Sequence, residues 1–231
     1  MSTTVSINPN DRRRFVPLEF HALIDAGFFR PEEHPWLNDG VIFDSAIGQP
    51  RRFTTDDLAR MADLGFFDAD GEDRIELIDG EILTMSRVNA LHSACIRRLN
   101  KRLNALLQGS ATVDVQLPLW LDKESQPQPD LCIVKSRDDN YERAHPRGND
   151  VLLVIEVMDS SATRDRNIKL PKYAEAGITE VWLVDVRTRE VEVCRNPSGD
   201  QYLERRACPI GLTLDIQAIP GLEITVNEIF G

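Results

Sequence analysis

The feature that most constrains the fold is an almost unbroken apolar run, Val151–Met158, near the middle of the chain. A run of this length and composition is typical of a central strand that is covered on both faces. A single charge, Glu156, interrupts it. Because a buried carboxylate is costly unless a cation compensates it, Glu156 predicts either a structural ion pair or a metal site.

The segments around this run predict an α/β protein. Apolar residues at steps of three and four predict a helix over about 91–107. The elements predicted after it are strands over 112–121, 130–134 and 151–158, a helix over about 162–176, a strand over 180–186 and an antiparallel hairpin in the closing segment 190–230. The order of helix, three strands, helix and strand indicates a sandwich around a mixed sheet.

The first 90 residues contain an internal repeat. Arg13-Arg14-Phe15 recurs as Arg51-Arg52-Phe53, and Gly27-Phe28-Phe29 recurs as Gly65-Phe66-Phe67, both with an offset of 38 residues. Each copy predicts a short helix, a glycine break, and a turn leading to a strand. In the second copy, Asp79-Gly80 predicts a hairpin within 74–85. The simplest interpretation is a duplicated docking element that covers a sheet edge or a dimer surface.

The charge is unevenly distributed along the 231 residues. Of the net charge of −11, the first 90 residues carry −8, from 17 acidic and 9 basic side chains. Residues 91–110 contain no acid and four bases, Arg97, Arg98, Lys101 and Arg102. The acidic total therefore does not exclude a nucleic-acid partner, because phosphate binding depends on local basic surface.

The same composition predicts a compartment. No apolar run approaches the ~20 residues of a membrane-spanning helix. The first 14 residues lack the apolar core of a secretion signal. The four cysteines form no CxxC pair, so we expect reduced thiols in a cytoplasmic protein without a membrane partner.

Two carboxylates predict a possible metal site. Asp130 follows Pro129 at the start of the strand predicted next to that of Glu156. Adjacent strands lie ~4.8 Å apart, so the two side chains could share one cation. Oxygen ligands favour Mg²⁺ or Mn²⁺ over Zn²⁺. The alternative for Asp130 is a turn aspartate.

Three further side chains are candidates with plain alternatives. Glu76, on the first hairpin strand, is either a third acid or a solvent-facing glutamate. Lys169 shares a helix face with Asp165 and Tyr173, and either acts on a water or phosphate or pairs with Asp165. His92, at the start of the basic helix, is interpreted as a capping or packing residue. No P-loop or dinucleotide-binding glycine pattern occurs, so no organic cofactor is expected.

Taken together, these segments resemble the Uma2 family of restriction-endonuclease-like proteins, whose fold is named PD-(D/E)xK. The resemblance covers about 52–231. Its most specific parts are Gln128-Pro129-Asp130-Leu131 and the block from Leu152 to Asp185, with Ile155-Glu156-Val157-Met158, Lys169, Tyr173 and Trp182-Leu183-Val184-Asp185. The resemblance implies an αβββαβ core with a mixed sheet, preceded here by a helical and hairpin extension over 1–51.

The resemblance also implies roles for the candidate residues. Asp130 and Glu156 would coordinate Mg²⁺ or Mn²⁺, with Glu76 as a third acid. The motif lysine would normally stand two residues after the glutamate, where this chain has Met158. Lys169 on the following helix resembles a relocated substitute.

Two functions follow from these observations. The first is a metal-dependent DNA endonuclease in which a metal-activated water hydrolyses the phosphodiester bond, with the basic helix contacting phosphates. The second is a DNA-binding or assembly protein on the same fold that has lost catalysis. The missing strand lysine, the acidic surface and the repeat favour the second. If the chain forms an oligomer, a homodimer is expected.

Overall fold

The structure is a computed structural model that describes residues 7–67, 74–85, 89–159 and 161–231. Its contacts divide the chain into two compact units. We call Ser6–Met85 with Asp122–Gln126 the amino-terminal unit, and Ser86–Leu121 with Pro127–Gly231 the sheet unit. The domain boundary expected after residue 51 stays a prediction.

The amino-terminal unit consists of two modules of the same design, each a helix followed by a hairpin. The first module contains a 3-10 turn (Pro9–Asp11), α1 (Pro17–Asp25), β1 (Trp36–Asn38) and β2 (Val41–Asp44), and β3 (Gln49–Pro50) pairs with β2. The second contains α2 (Thr55–Asp63), β4 (Ile75–Ile78) and β5 (Glu81–Thr84). Asp39-Gly40 and Asp79-Gly80 form the two hairpin turns, and all four residues have positive φ, as two-residue turns of this kind require. Both copies have the predicted helix, glycine break and turn leading to a strand, the hairpin predicted for the second copy is present, and the first copy forms a hairpin as well.

The sheet unit is built on six strands. They are β6 (Ala111–Val115), β7 (Leu131–Lys135), β8 (Val151–Met158), β9 (Glu180–Asp185), β10 (Glu190–Ser198) and β11 (Gln201–Pro209), in the spatial order β11-β10-β9-β8-β7-β6. Only β8 and β9 run parallel, and the helical segment between them makes the crossover. The predicted mixed sheet with β8 near its centre is confirmed.

The remaining elements of this unit include those whose residues share the two cores with the sheet. They are α3 (Ala90–Leu107), a 3-10 turn (Gly148–Asp150), α4 (Ala162–Arg164), a π-helical turn (Asp165–Lys169), α5 (Leu170–Glu175), the hairpin of β12 (Thr213–Asp215) and β13 (Glu223–Thr225), and α6 (Val226–Phe230). Within the described residues, no helix is long and apolar enough to span a membrane.

Strand β8 contributes to a core on each of its faces. Ile155 and Val157 pack in the cluster that contains α3 and α6, whereas Val154 and Met158 pack in the cluster that contains α5. This two-sided burial explains the continuous apolar run in the sequence.

One strand is shorter than expected. The sequence predicts a strand to Leu121, but β6 ends at Val115. Gln116 has a positive φ of 53°, and Pro118 has no N–H to donate to a ladder. The chain therefore leaves the sheet well before Leu121.

A buried carboxylate ties β9 to the segment beyond the sheet. Glu180 is fully buried and accepts hydrogen bonds from Trp182 Nε1, Arg195 Nη2 and the backbone N–H of Gln217, each at 2.8 Å. We expect Glu180→Ala to lower the free energy of unfolding by about 3 kcal/mol, because it leaves a largely buried guanidinium without this partner. Urea unfolding of Asp215→Ala is the control: its carboxylate pairs with the same arginine from an exposed position, so its loss should cost less than about 1 kcal/mol. Equal effects of the two variants would contradict this assignment.

Candidate active site

The pairing of β7 with β8 brings two acids together. Leu131 and Ile155 are partners in the antiparallel register, so the residues next to them, Asp130 and Glu156, are neighbours at one end of the two strands. The backbone N–H of Asp130 lies 3.4 Å from Glu156 Oε2. Both residues are buried. The predicted juxtaposition of these two carboxylates is thus present in the structure.

Asp130 is surrounded by hydrogen-bond donors. Its Oδ2 lies 3.0 Å from His92 Nε2 and accepts from the backbone N–H of Val157 at 2.9 Å, and its Oδ1 accepts from Gln116 Nε2 at 3.0 Å. Burial alone would raise the pKa of Asp130, but the hydrogen bond and charge of His92, with the charge of Lys169, hold this pKa below its ordinary 3.8. Asp130 is therefore an anion at neutral pH.

The pKa of Glu156 is shifted in the opposite direction from that of Asp130. Lys169 Nζ lies 2.6 Å from its Oε1, and the Tyr173 hydroxyl donates to the same oxygen at 2.5 Å. Full burial nevertheless raises the pKa of Glu156 from 4.5 to about 8. The Lys169 ammonium opposes this shift, while the nearby carboxylates of Asp165 and Asp130 add to it. Burial therefore favours the protonated form of Glu156, and the Lys169 ammonium offsets this effect only in part.

A π-helical turn positions Lys169 next to the Glu156 carboxylate. The backbone N–H of Leu170 bonds to the carbonyl of Asp165, five residues earlier, and Pro171 follows at the start of α5. Proline has no N–H to donate, and π-turns of this kind occur frequently at functional sites. Met158, which stands where the motif lysine is expected, is buried in the same cluster as α5. The ammonium therefore approaches Glu156 from the covering helix.

His92 is the site residue that sequence reasoning missed. Asn89, and not His92, caps α3, since its side chain accepts from the backbone N–H of His92 at 3.0 Å. His92 Nε2 contacts Asp130, and its Nδ1 is buried with no hydrogen-bond partner in the described residues. The signal was present in the sequence: His92 precedes Cys95 and Leu99 at helical spacing, so it lies on the stripe that faces the core.

The other predicted site residue belongs to the amino-terminal unit. Glu76 lies on β4 and is buried. Its role as a third acid stays a prediction.

Carboxylates are the side chains at this site that could bind a hard divalent cation. In the part of the chain that the structure describes, no group of three or more His, Cys, Asp or Glu is arranged to hold a metal. The two adjacent carboxylates fit such an ion nevertheless, because Mg²⁺ commonly uses one or two protein carboxylates together with water and substrate phosphate. A cation beside Glu156 would favour the ionised form of this carboxyl, as the Lys169 ammonium does.

The basic residues of α3 divide into two groups. Arg97, Arg98 and Lys101 are exposed, whereas Arg102 pairs with Glu228 of α6 at 2.8 Å. Three of the four predicted phosphate contacts are therefore available on the surface, and the fourth is engaged within the fold.

Comparison with known proteins places this arrangement in a family. The chain is similar to a solved structure described as "a putative nuclease belonging to DUF820" from Anabaena variabilis, at 19% identity and a TM-score of 0.56, over 68% of this chain and 89% of that one. This similarity is one of fold. No curated protein matches the chain. The family model Uma2, described as "Putative restriction endonuclease", matches residues 56–227, which include every candidate site residue. The chain belongs to the Uma2 family.

Proposed function

We propose that the protein is a divalent-metal-dependent endonuclease that hydrolyses phosphodiester bonds in DNA. The observation that carries the proposal is the buried cluster in which Asp130 and Glu156 lie side by side and Lys169 contacts Glu156 at 2.6 Å. Such a combination of two acids and a lysine suits hydrolysis of a phosphodiester. The membership of the Uma2 family supports the same reaction class.

The acidic residues and the lysine have different proposed roles. Asp130 and Glu156 would hold Mg²⁺ or Mn²⁺, with Glu76 as the proposed third acid. Such a cation, when bound, supplies positive charge to the scissile phosphate and makes water a better nucleophile at neutral pH. The hydrogen bonds to Asp130 keep it ionised and fixed in orientation. Lys169 orients the attacking water or donates to a phosphate oxygen.

The exposed bases of α3 are proposed to contact the DNA backbone. Arg97, Arg98 and Lys101 follow one another along the outer surface of the helix. Contacts of lysine and arginine with phosphate bind without regard to base sequence and weaken with salt. DNA binding by this protein should therefore weaken steeply as the salt concentration rises.

A second candidate function follows from the small number of metal-ligating side chains at the site. Because the described residues hold no group of three metal-ligating side chains, a DNA-binding or assembly protein without catalysis is the alternative. In that case Glu156 and Lys169 would form a structural ion pair.

Cleavage of supercoiled and single-stranded DNA distinguishes the two. The endonuclease proposal predicts nicked and linear products with Mg²⁺ or Mn²⁺, and none with a chelator in excess. A folded protein that binds DNA but produces no cleavage in either metal supports the alternative.

His92 is proposed to position Asp130 rather than to react. We expect His92→Ala to lower the cleavage rate about 10–100-fold, the usual effect of losing a residue that orients a metal-binding carboxylate. His92→Gln, whose amide can still donate to Asp130, should recover much of that loss. If both variants cleave DNA like the parent, His92 only packs against the sheet.

A further inference from the structure

The two modules of the amino-terminal unit contact each other reciprocally. The backbone N–H of Arg13, in the first module, donates to the carbonyl of Ile82 in the second at 2.8 Å. The backbone N–H of Arg51, in the second module, donates to the carbonyl of Ile42 in the first, also at 2.8 Å. Arg13 and Arg51 are equivalent in the repeat, and so are Ile42 and Ile82. Exchanging the modules therefore reproduces these two backbone hydrogen bonds.

Aromatic contacts follow the same rule. The rings of Phe15 and Phe53, which occupy equivalent positions, stack on each other with centroids 5.9 Å apart. The Arg13 guanidinium lies over Phe67 of the second module, and the Arg51 guanidinium lies over Phe29 of the first, at 5.8 and 5.5 Å. A residue that contacts its own counterpart must lie near the pseudo-two-fold axis that relates the two modules. This is the property of an isologous interface, which normally joins two copies of one protein.

The two modules also have equivalent internal ion pairs and hydrogen bonds. Arg13 pairs with Glu19 at 2.6 Å, and Arg51 pairs with Asp57 at 3.1 Å, one repeat later. The backbone N–H groups of Phe15 and Phe53 each donate to the carbonyl of the turn glycine in their own module, at 2.9 and 2.8 Å. Either module therefore carries the arginine, the phenylalanine and the backbone groups that make the reciprocal contacts.

Most of the second module, but none of the first, lies within the residues that match the family model. The match, 56–227, includes β4, β5 and α2 from its second residue onward, and it begins shortly after Arg51 and Phe53. The first module thus precedes the matched residues and covers one face of the second.

We propose that the second module has a self-complementary face and that the first module fills it. A chain with only one such module would pair with a second copy of itself through this face. In the present chain, the two modules would make the equivalent pair within one molecule. The partner that fits this face is a second copy of the same module. Any homodimer of the intact chain uses another surface. This inference is independent of the proposed nuclease activity.

Disabling the first module in the full chain tests the proposal. Phe15 and Leu23 are buried core residues of the first module, so Phe15→Asp with Leu23→Asp should unfold it and uncover the second. We expect the mass of this variant in light scattering to be twice that of the parent. Adding Phe53→Asp and Met61→Asp, the equivalent changes in the second module, should return the mass to the parent value. A first-module variant that keeps the parent mass overturns the proposal.

A second variant changes only the connection between the modules. The backbone N–H of Arg51 donates to the carbonyl of Ile42, and residues 43–50 reverse the chain between them. Deleting these eight residues makes Ile42 and Arg51 adjacent and leaves no residue for a turn, so the first module should pair with the second module of another chain and double the mass. Replacing the eight residues with Gly-Ser-Gly-Ser, which is long enough for a turn, should leave the mass unchanged. A deletion variant that keeps the parent mass, or that forms open-ended aggregates rather than a closed pair, contradicts the proposal.

Discussion

Replacing Lys169 with methionine should lower the rate of DNA cleavage by about 10³-fold. The side chain is almost fully buried, and its ammonium lies 2.6 Å from Glu156 Oε1. In a site that excludes water, one positive charge directed at the developing charge of a phosphate contributes far more than it does in solution. Methionine keeps the apolar stem and removes the charge.

The same substitution should also destabilise the protein, so its effect on activity needs a separate control. Above pH 8, where Glu156 is ionised, removing one partner of this buried ion pair costs about 3–5 kcal/mol, because the other charge is left uncompensated. The double variant Lys169→Met with Glu156→Gln removes both charges and should regain most of the free energy of unfolding. It should not regain cleavage. Recovery of cleavage in the double variant would show that the pair is structural.

Lys172, three residues after Lys169 and within α5, provides a matched control. It pairs with Glu175 at 2.7 Å, and that partner carboxylate is exposed. Lys172→Met should therefore change the free energy of unfolding by less than about 1 kcal/mol and leave cleavage at the parent rate. Urea unfolding and plasmid nicking, measured on the four proteins together, separate the catalytic loss from the structural one.

The second large effect is a dependence of stability on pH in protein freed of divalent metal. Burial raises the pKa of Glu156 from 4.5 to about 8, so between these values the unfolded chain has released a proton that the folded chain retains. The stabilisation is fully present below pH 4.5 and is lost as the pH rises toward 8. The free energy of unfolding should fall through this window by up to about 1.4 kcal/mol per pH unit.

Glu156→Gln isolates this contribution from other titrating groups. Asp130, whose pKa lies below 3.8, acts in the opposite direction: its stabilisation is present above that pH and is lost in acid. Urea unfolding at pH 5 and pH 8 with a chelator should therefore show a fall in the parent that is absent or much smaller in Glu156→Gln. An identical pH dependence in the two proteins would mean that Glu156 does not titrate in this window.

The mixed sheet and the order of its elements along the chain could be predicted because local patterns and tertiary burial agree there. The run Val151–Met158 is apolar on both faces since cores lie on both sides of β8. The hairpin turn at Asp79-Gly80 needs positive φ, which that residue pair supplies. In contrast, the end of β6 depends on the backbone at Gln116, and the apolar pattern continues past it.

The candidate site was only partly visible in the sequence. Asp130 and Glu156 could be placed because strand neighbours share an edge. The contact of Lys169 with Glu156 depends on a π-helical turn, which an α-helical periodicity does not encode. His92 required knowledge of which helix face meets the sheet. Glu76 lies in the amino-terminal unit, and Asp130 and Glu156 lie in the sheet unit. Strand pairing, which placed the other two acids together, therefore does not apply to Glu76.

The most direct test of the central claim is cleavage of supercoiled DNA in Mg²⁺ by the parent and by Asp130→Asn. Asparagine keeps the shape of the side chain and removes the charge that the proposed cation needs. Asp114→Asn, on the neighbouring strand β6, is the control for a carboxylate lost from the same sheet. The account predicts cleavage by the parent and by Asp114→Asn, and a loss of about 10³-fold in Asp130→Asn with its fold retained. Equal cleavage by all three proteins, or none by the parent, would contradict it.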